Sequence, residues 1–291
     1  MAEVVCLGEL LIDFLPLRPG VFRRAAGGAP ANVAVGLARL GVSTAFISKV
    51  GDDEFGRFLR ATLEDEGVDT SGMVTTRKAP TGLAFVTLDS KRERSFSFYR
   101  NPCADALLAP GDLRAAPWRD ARIFHYGSIS LIAEPSRSAT LAAVERARRA
   151  GLRLSCDPNL RLALWPSPAL ARAGMREALR HADIVKISEE EVEFLGRIPR
   201  AEVVVITRGP RGGTVLSDGR RFDYPPFKVR SIDSTGAGDA FAAGLLYGLL
   251  RDMPVAEAVR WAAACGALVT QRRGAIPAMP RATAVRRLLR S

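Results

Sequence analysis

The amino-acid sequence predicts an α/β protein with a mostly parallel central sheet, helices on both faces of that sheet, and a small β-sheet that stands apart. Three observations support this fold class. Of the 291 residues, 47% are hydrophobic and 25% are charged, which is typical of globular proteins. The C-terminal two thirds alternate β-type runs with helical patterns. Two other segments contain consecutive strands with no helix between them.

The alternation is clearest in four successive apolar runs of β type, of which the first three are followed by helical patterns. Such βαβα order favours a parallel sheet between two helical layers, and ligands then bind at the carboxyl ends of the strands. The four runs are RIFHYGSIS (122–130), RLSCDPN (153–159), DIVKIS (183–188) and AEVVVITRG (201–209).

The two segments outside this alternation are residues 10–25 and 81–101. Each contains strand patterns joined by turn residues. We expect them to form a small sheet, the lid. The chain has no Pro- or Ser-rich linker and no repeat of roughly 20 to 50 residues. Residues 1–291 are therefore expected to form a single domain.

The net charge of +11 raises the question of nucleic-acid binding. The basic residues are spread along predicted helices such as 136–151 and 281–291, and no RNP or zinc-finger motif accompanies them. A solvated basic face is therefore favoured, and we expect no nucleic-acid partner. An anionic substrate is compatible with this charge.

Membrane, zinc and disulfide classes are also disfavoured. No apolar run approaches the roughly 18 residues needed to span a bilayer. The N-terminal stretch MAEVVCLGELLIDF has acids within its apolar run and no basic leader, so we expect a strand and a cytoplasmic protein. The four cysteines, at positions 6, 103, 156 and 265, form no CxxC pair, and only two histidines are present.

The stretch IDSTGAGDAF (232–241) predicts a glycine turn that leads into an apolar helix. The free amides of Gly236, Ala237, Gly238 and Asp239 would lie at the helix N-terminus, where hydrogen bonding and the helix dipole favour an anion. The alternative is that Asp239 only caps the helix. Because a cap does not require two glycines and an alanine before it, an anion site is favoured. The sequence contains no Gly-Lys dipeptide, which excludes a P-loop.

Three motifs carry a resemblance to a known family. GGAPANVAVGLARLG (27–41), VGDDEFG (50–56) and DSTGAGDAF (233–241) resemble the two signatures of the ribokinase-like, or PfkB, carbohydrate kinases. FSFYRNPCADALL, SCDPNLRLALWPS and ACGALVTQRRGAIPAMP are similar, in the same order, to segments of fructokinases, particularly the plant type. The resemblance covers essentially the whole chain and implies the ribokinase-like three-layer α/β/α fold with a lid.

The resemblance implies a catalytic role for the glycine turn. Asp239 is expected to accept the proton of a sugar hydroxyl, while the amides of Gly236, Ala237 and Gly238 stabilise charge on the transferring γ-phosphoryl group of ATP. For the sugar, the resemblance implies that Asp13 in GELLIDF and Asn32 in GGAPANV form hydrogen bonds with sugar hydroxyls.

Gly27 and Gly28 are expected to let the sugar approach the backbone. Taken alone, Asp13 is also compatible with a turn or strand-end acid, and Asn32 with a helix cap. Tyr99, Arg100 and Arg161 form a second expected sugar-binding set.

The fork of donors on arginine suits sugar hydroxyls and suits a carboxylate still better. Related 2-keto-3-deoxygluconate kinases use a similar set, so these side chains do not select fructose, although the flanking segments favour fructokinase. A surface ion pair is the alternative for Arg100.

The nucleotide side is expected in the second half of the chain. TRGPRGG (207–213) resembles a family turn in which Thr207, Gly209 and Gly212 lie near ATP, and Lys186 and Ser188 are assigned to the same site. Glu191 is expected to act on Mg²⁺ through water. Two residues depart from the family pattern: Ser188 and Ala263 each replace an asparagine, and the second change is expected to relax nucleotide choice.

Asp233 and Thr235, with the loop around Gly274, match positions that bind a monovalent cation, usually potassium, in relatives. Asp233 is also compatible with bracing the glycine turn. The expected activity is that of an ATP-dependent fructokinase acting on the 6-hydroxyl of D-fructose with Mg²⁺. The alternatives are a kinase for another sugar, first 2-keto-3-deoxygluconate, and a non-catalytic binding protein. A homodimer formed through the lid is expected from the family.

Overall fold

The structure, a computed structural model, describes residues 2–18, 20–88, 94–115 and 118–290. For residues 87–88 and 94–96 it describes the backbone alone. The parts of the predicted lid at residues 19 and 89–93, and the chain ends at 1 and 291, lie outside the described residues.

The central sheet has nine strands, and parallel pairing joins the first seven in spatial order. The last two pair antiparallel at one edge. The predicted mostly parallel sheet is thus confirmed. In spatial order the strands are β5 (Met73–Thr76), β4 (Thr44–Gly51), β1 (Val4–Leu7), β8 (Ile123–Tyr126), β9 (Arg153–Cys156), β10 (Ile184–Ser188), β11 (Val203–Thr207), β12 (Gly213–Ser217) and β13 (Arg220–Tyr224).

Helices cover both faces of the sheet, and β1 shows this directly. Val4 and Cys6 point into one apolar cluster, which also contains residues of the first, second and last three helices, whereas Val5 and Leu7 point into a second cluster with the other three. A strand buried on both faces requires a layer on each side. The helices are α1 (Ala29–Leu40), α2 (Glu54–Asp65), α3 (Ser136–Arg149), α4 (Pro168–Leu179), α5 (Glu189–Leu195), α6 (Ala237–Leu250), α7 (Val255–Val269) and α8 (Ala282–Arg290).

The predicted lid is a separate four-stranded sheet with the order β3, β2, β6, β7. Its strands are β2 (Leu11–Arg18), β3 (Val21–Gly27), β6 (Gly82–Leu88) and β7 (Arg94–Tyr99). The rings of Phe14 and Phe85 stack at 4.7 Å between centroids, and Phe55 of α2 packs edge-on against Phe14 at 6.0 Å. Aromatic pairs therefore hold the lid strands together and attach them to the main body.

In the described part of the chain, no helix is long and apolar enough to cross a membrane. The four cysteines are all buried and free. The predicted run 122–130 is shorter as a strand than expected. It ends at Tyr126, because Ser128 turns to donate through its hydroxyl to the Pro158 carbonyl at 2.6 Å.

Candidate active site

The glycine turn forms the N-terminus of α6. Gly236 is the N-cap and has a φ of 76°, a left-handed conformation that favours glycine. The Ala237 amide donates to the Ser234 carbonyl at 3.1 Å, so a tight turn engages one of the four predicted amides. Among the described residues, no backbone carbonyl accepts from the amides of Gly236, Gly238 or Asp239. These three remain available to an anion.

Asp239 is only 9% exposed, and its side chain makes no capping hydrogen bond to α6. Instead its Oδ2 accepts from Nδ2 of Asn32 at 2.7 Å. Asn32 lies inside α1 and is 5% exposed, so it caps no helix either. The capping alternatives for both residues are therefore wrong. The hydrogen bond joins α1 to α6, which pack against each other in the same helical layer.

The surroundings of Asp239 set its protonation. Burial raises the pKa of Asp239 to about 6. The hydrogen bond from Asn32 opposes this shift, the charge of Asp157 adds to it, and the charges of Lys186 and Arg161 lower the pKa. The carboxylate is thus largely ionised at neutral pH yet basic enough to take a proton, as a general base requires.

Asp13 lies on the lid strand β2, opposite Ala25 of β3, and not at a turn or strand end, so that alternative is wrong. Burial raises its pKa to about 7; the charge of Arg161 opposes the shift and that of Asp239 adds to it. These three side chains therefore meet at one site. A Cβ on Gly27 would lie 2.2 Å from Oδ2 of Asp13, so glycine there makes room for this carboxylate.

Gly28 is required for a related reason. Its φ is 117°, and a Cβ there would lie 2.2 Å from the Glu9 carbonyl oxygen. Glu9 itself was not singled out from the sequence. It is 3% exposed, and its Oε1 accepts from the Ala29 amide, the first of α1, at 2.8 Å. Burial raises the pKa of Glu9 to about 7 against the opposing charge of Arg100.

Arg100 forms a buried ion pair with Asp105, and the two side chains are 10% and 5% exposed. The surface-pair alternative is therefore wrong. Nη2 of Arg100 is taken by Asp105, and its Nη1 is buried without a partner in the described residues. Tyr99 ends β7 and is 64% exposed, with its ring edge-on to Phe85 at 5.5 Å. Within the second predicted sugar-binding set, Arg161 is the residue whose charge lowers the pKa of both Asp13 and Asp239.

Glu191 and Ser188 form a capping box at the start of α5. Oγ of Ser188 accepts from the Glu191 amide at 3.2 Å, and Oε2 of Glu191 accepts from the Ser188 amide at 2.8 Å. Oε1 of Glu191 accepts from the Leu160 amide at 2.7 Å. Serine thus fills the position of the family asparagine as the helix cap. Glu189, in the same turn, forms ion pairs with Arg208 and Arg211.

No group of three or more His, Cys, Asp or Glu side chains close enough to hold a metal occurs in the described residues. Both oxygens of Glu191 already hold backbone amides. This donor set fits a cation such as Mg²⁺ that keeps its waters and arrives with substrate phosphates. It does not form a cage that would bind the ion alone.

A cavity of about 450 Å³ lies between the predicted nucleotide loop and α6. Its walls are mostly apolar, and its volume is in the range of small-molecule sites. Gly212, with a φ of 80°, passes so close to the backbone of β13 that a Cβ would lie 2.1 Å from the Tyr224 carbonyl. Among the lining residues are Thr207, Gly209, Gly212, Tyr224, Phe227, Ala237, Gly238, Phe241 and Ala263.

The predicted cation-site residues come together beside the glycine turn. Oδ1 of Asp233 accepts from the Thr235 amide at 2.7 Å, and Oδ2 accepts from the Gly274 amide at 2.9 Å. Oγ1 of Thr235 is buried without a hydrogen-bond partner in the described part of the chain. Asp233 therefore braces the turn, and an orphaned oxygen lies beside it.

Asp157 is the other residue that sequence reasoning missed. It follows β9, is 3% exposed, and accepts from Nζ of Lys186 at 2.9 Å. Its position directly after a buried strand is the signal that could have identified it from the sequence. Four features thus meet where the carboxyl ends of the central strands face the start of α6. They are a buried carboxylate base, three free amides at the helix N-terminus, a charged lysine and an apolar cavity. This arrangement defines the class of phosphotransferases that act on a small hydroxylated substrate.

Comparison with known proteins gives the particular family. The model of the pfkB family of carbohydrate kinases matches residues 1–282, and the chain belongs to this family. It is 47% identical over 315 residues to fructokinase-1 of Oryza sativa subsp. japonica, covering 99% of this chain and 98% of the relative. Fructokinase-1 of Zea mays is 46% identical over 313 residues, covering 98% and 97%.

Solved structures agree with the ribokinase-like fold. The Xylella fastidiosa fructokinase with bound ATP superposes with a TM-score of 0.93 at 36% identity, covering 100% of this chain and 99% of the other. The fructokinase of Vibrio cholerae O395, in a form with fructose, ADP and calcium ion bound, gives 0.92 at 37% identity, covering 99% of each chain.

Proposed function

We propose that this chain is an ATP-dependent fructokinase that transfers the γ-phosphate of ATP to the 6-hydroxyl of D-fructose. The observation that carries the proposal is Asp239: a buried carboxylate, oriented by Asn32, beside the free amides of Gly236 and Gly238. The fructokinases among its relatives, similar over nearly the whole chain, supply the choice of sugar.

In this mechanism Asp239 takes the proton of the sugar hydroxyl as its oxygen attacks the γ-phosphorus. The bond from that phosphorus to the β-phosphate oxygen breaks, and ADP leaves with the electron pair. The amides of Gly236 and Gly238 hydrogen-bond to the oxygens of the moving phosphoryl group. The proton and the phosphoryl group thus move at the same helix terminus.

Asp13, Asn32 and Arg161 hold the sugar in this proposal. Oδ1 of Asn32 is buried and has no partner in the described residues, so it is available as an acceptor for a sugar hydroxyl. Asp13 lies on the lid strand β2 and is already near Arg161 and Asp239, so closure of the lid over the sugar would exclude water from around this carboxylate. Tyr99 and Arg100 contribute at the lid edge in the same proposal.

ATP is proposed to occupy the cavity lined by Thr207, Gly209 and Gly212, with Lys186 and Ser188 on the phosphate side. Glu191 would hold Mg²⁺ through water, and the ion supplies neutralising charge on the phosphates when bound. Asp233, Thr235 and Gly274 are proposed to bind potassium, a choice supported by the orphaned hydroxyl of Thr235. A double mutant of the Vibrio cholerae fructokinase is described in a form with fructose, ADP and potassium ion bound.

A cytoplasmic homodimer is the proposed form of the protein. The lid carries exposed apolar side chains, with Leu17 at 53%, Phe22 at 40% and Tyr99 at 64% exposure, and its sheet has two edge strands. Four free cysteines suit a reducing compartment. Light scattering would give the mass of a dimer, and Phe22→Asp should shift it toward the monomer.

A coupled ADP-release assay with fructose, ribose and 2-keto-3-deoxygluconate tests the function. We expect turnover to be highest with fructose, because Asp105 neutralises Arg100 and so removes one cation that an acid sugar would use. Turnover with the acid sugar and none with fructose would contradict the choice of substrate. A chain inactive with every sugar would support the binding-protein alternative.

A further inference from the structure

A buried lysine–aspartate pair lies at the point where the glycine turn meets the sheet. Lys186 is near the end of β10 and Asp157 follows β9, and the two strands pair in parallel with Val185 opposite Cys156. Nζ of Lys186 is 2.9 Å from Oδ2 of Asp157, and the side chains are 11% and 4% exposed. The register of the sheet therefore brings the two charges together.

The ammonium group also touches the start of α6. A Cβ on Gly238 would lie 2.7 Å from Nζ of Lys186. Gly238 lies in the first turn of α6. A larger residue does not fit at this position, because the lysine fills the space that its side chain would need. The charge of Lys186 thus lies directly beside the free Gly238 amide and acts on Asp239 as well.

The lysine is held in its charged form. Burial by itself would lower the pKa of Lys186, but the charges of Asp157 and Glu191 and the hydrogen bond to Asp157 outweigh burial and raise the pKa. Asp157 is fixed in turn, since its Oδ1 accepts from the Asn159 amide at 3.2 Å. Burying two charges is costly, and a pair of apolar residues often serves stability equally well.

An ammonium group has three donors, and Asp157 takes one of them. Within the described residues the other two donors have no hydrogen-bond partner, so they are available to a ligand in the cleft formed by Asn159, Arg161, Lys186 and Glu191. Phosphoryl transfer gains most from fixed positive groups placed where the equatorial oxygens of the moving group develop charge. P-loop enzymes use a lysine for this purpose, and this chain has no P-loop.

We propose that Lys186 is a catalytic residue that donates a hydrogen bond to the transferring γ-phosphoryl group beside the Gly238 amide, and that Asp157 is the positioning residue that holds it there. The proposal rests on the proposed kinase function. Lys186 transfers no proton: the hydroxyl proton goes to Asp239, one P–O bond forms to the sugar, and the P–O bond to ADP breaks.

The test compares Lys186→Met with the double variant Lys186→Met/Asp157→Asn in the full chain. The double variant removes both buried charges, so that loss of activity cannot come from an uncompensated Asp157. The matched control is Lys49→Met, because Lys49 forms a similar pair with Asp112 at 2.6 Å on β4, outside the proposed site. Thermal unfolding monitors the fold of each variant.

We expect kcat to fall about 10²- to 10³-fold in both Lys186 variants, as when one oxyanion donor is removed, while KM for the sugar stays within about threefold. Lys49→Met should keep kcat close to the parent value. The pH profile gives a second readout: the acid limb of kcat/KM should move to higher pH in Lys186→Met and lie closer to the parent value in the double variant, because the charges of Lys186 and Asp157 act oppositely on the pKa of Asp239.

A folded double variant with kcat near that of the parent would overturn the role of Lys186 while leaving the kinase function intact. If the parent were active only on another sugar, fructose would be rejected as the substrate, and the same variants would then be compared on that sugar. A parent inactive on every sugar would overturn the kinase function, and the role of Lys186 with it.

Discussion

Asn32 and Asp239 are 207 residues apart in sequence, and the Nδ2 of the first donates to the Oδ2 of the second at 2.7 Å. The bond orients the proposed base and lowers its pKa. We expect Asn32→Ala to reduce kcat/KM by about 10- to 100-fold, since both orientation of the base and an acceptor for the sugar are lost.

Asn32→Ala should also move the acid limb of the pH profile upward, because the hydrogen bond that lowers the pKa of Asp239 is gone. Steady-state assays between about pH 5 and 9 measure both effects. Unchanged kcat/KM in a folded variant would show that Asn32 neither orients the base nor binds the sugar.

Asp239→Asn should lower kcat by about 10²- to 10⁴-fold, the usual contribution of a positioned base. In the parent, kcat/KM should fall below a pH of about 6 to 7, because Asp239 and Asp13 become protonated at about 6 and about 7. Since the two carboxylates interact, the profile should report two values that belong to the pair. A profile flat down to a pH of about 5 would contradict the assignment.

Stability should rise as the pH is lowered from about 7 toward 5, because burial raises the pKa of Glu9, Asp13 and Asp239 to between about 6 and 7. In this window the folded chain binds more protons than the unfolded chain, so the free energy of unfolding falls as the pH rises. Urea unfolding at several pH values measures the slope.

Glu9→Gln isolates one of these groups. Glutamine retains an oxygen for the Ala29 amide and carries no charge, so we expect a higher unfolding temperature at pH 8 and a shallower pH slope. Glu54→Gln is the surface control, since the Glu54 side chain is 74% exposed. Equal slopes in the parent and Glu9→Gln would show that Glu9 is not the group that titrates.

Replacement by methionine should have different effects at Arg100 and at Arg161: the first should reduce stability and the second should weaken sugar binding. Arg100→Met leaves Asp105 buried and unpaired, so we expect a loss of about 3 to 5 kcal/mol in the free energy of unfolding. Arg161→Met should cost little stability and raise KM for the sugar, because within the described residues the Arg161 side chain donates only to the adjacent Leu160 carbonyl. Urea unfolding and steady-state kinetics on the two variants separate the structural role of Arg100 from the sugar-binding role of Arg161. A stability loss in Arg161→Met together with a raised KM in Arg100→Met would contradict these assignments.

Much of the fold follows from local patterns. The strand runs after residue 122, the helix that follows IDSTGAGDAF, and the lid strands in 10–25 and 81–101 lie where side-chain periodicity and turn residues predicted them. These features depend on neighbours in sequence, and periods of 2 and 3.6 residues record them directly. The strand at 122–130 was overestimated because a hydrogen bond between Ser128 and Pro158, from different segments, ends it early.

The sequence by itself determined the α/β fold, the lid, and the glycine turn with Asp239 at its end. Only the tertiary structure decided which partners these residues meet. Strand order sets Lys186 beside Asp157, and packing of α1 against α6 sets Asn32 beside Asp239. Burial then fixes the charges: it pairs Arg100 with Asp105 and raises the pKa of Glu9, Asp13 and Asp239. Contacts between distant segments and the loss of solvent around them leave no periodic trace in the chain, so the fold alone specifies them.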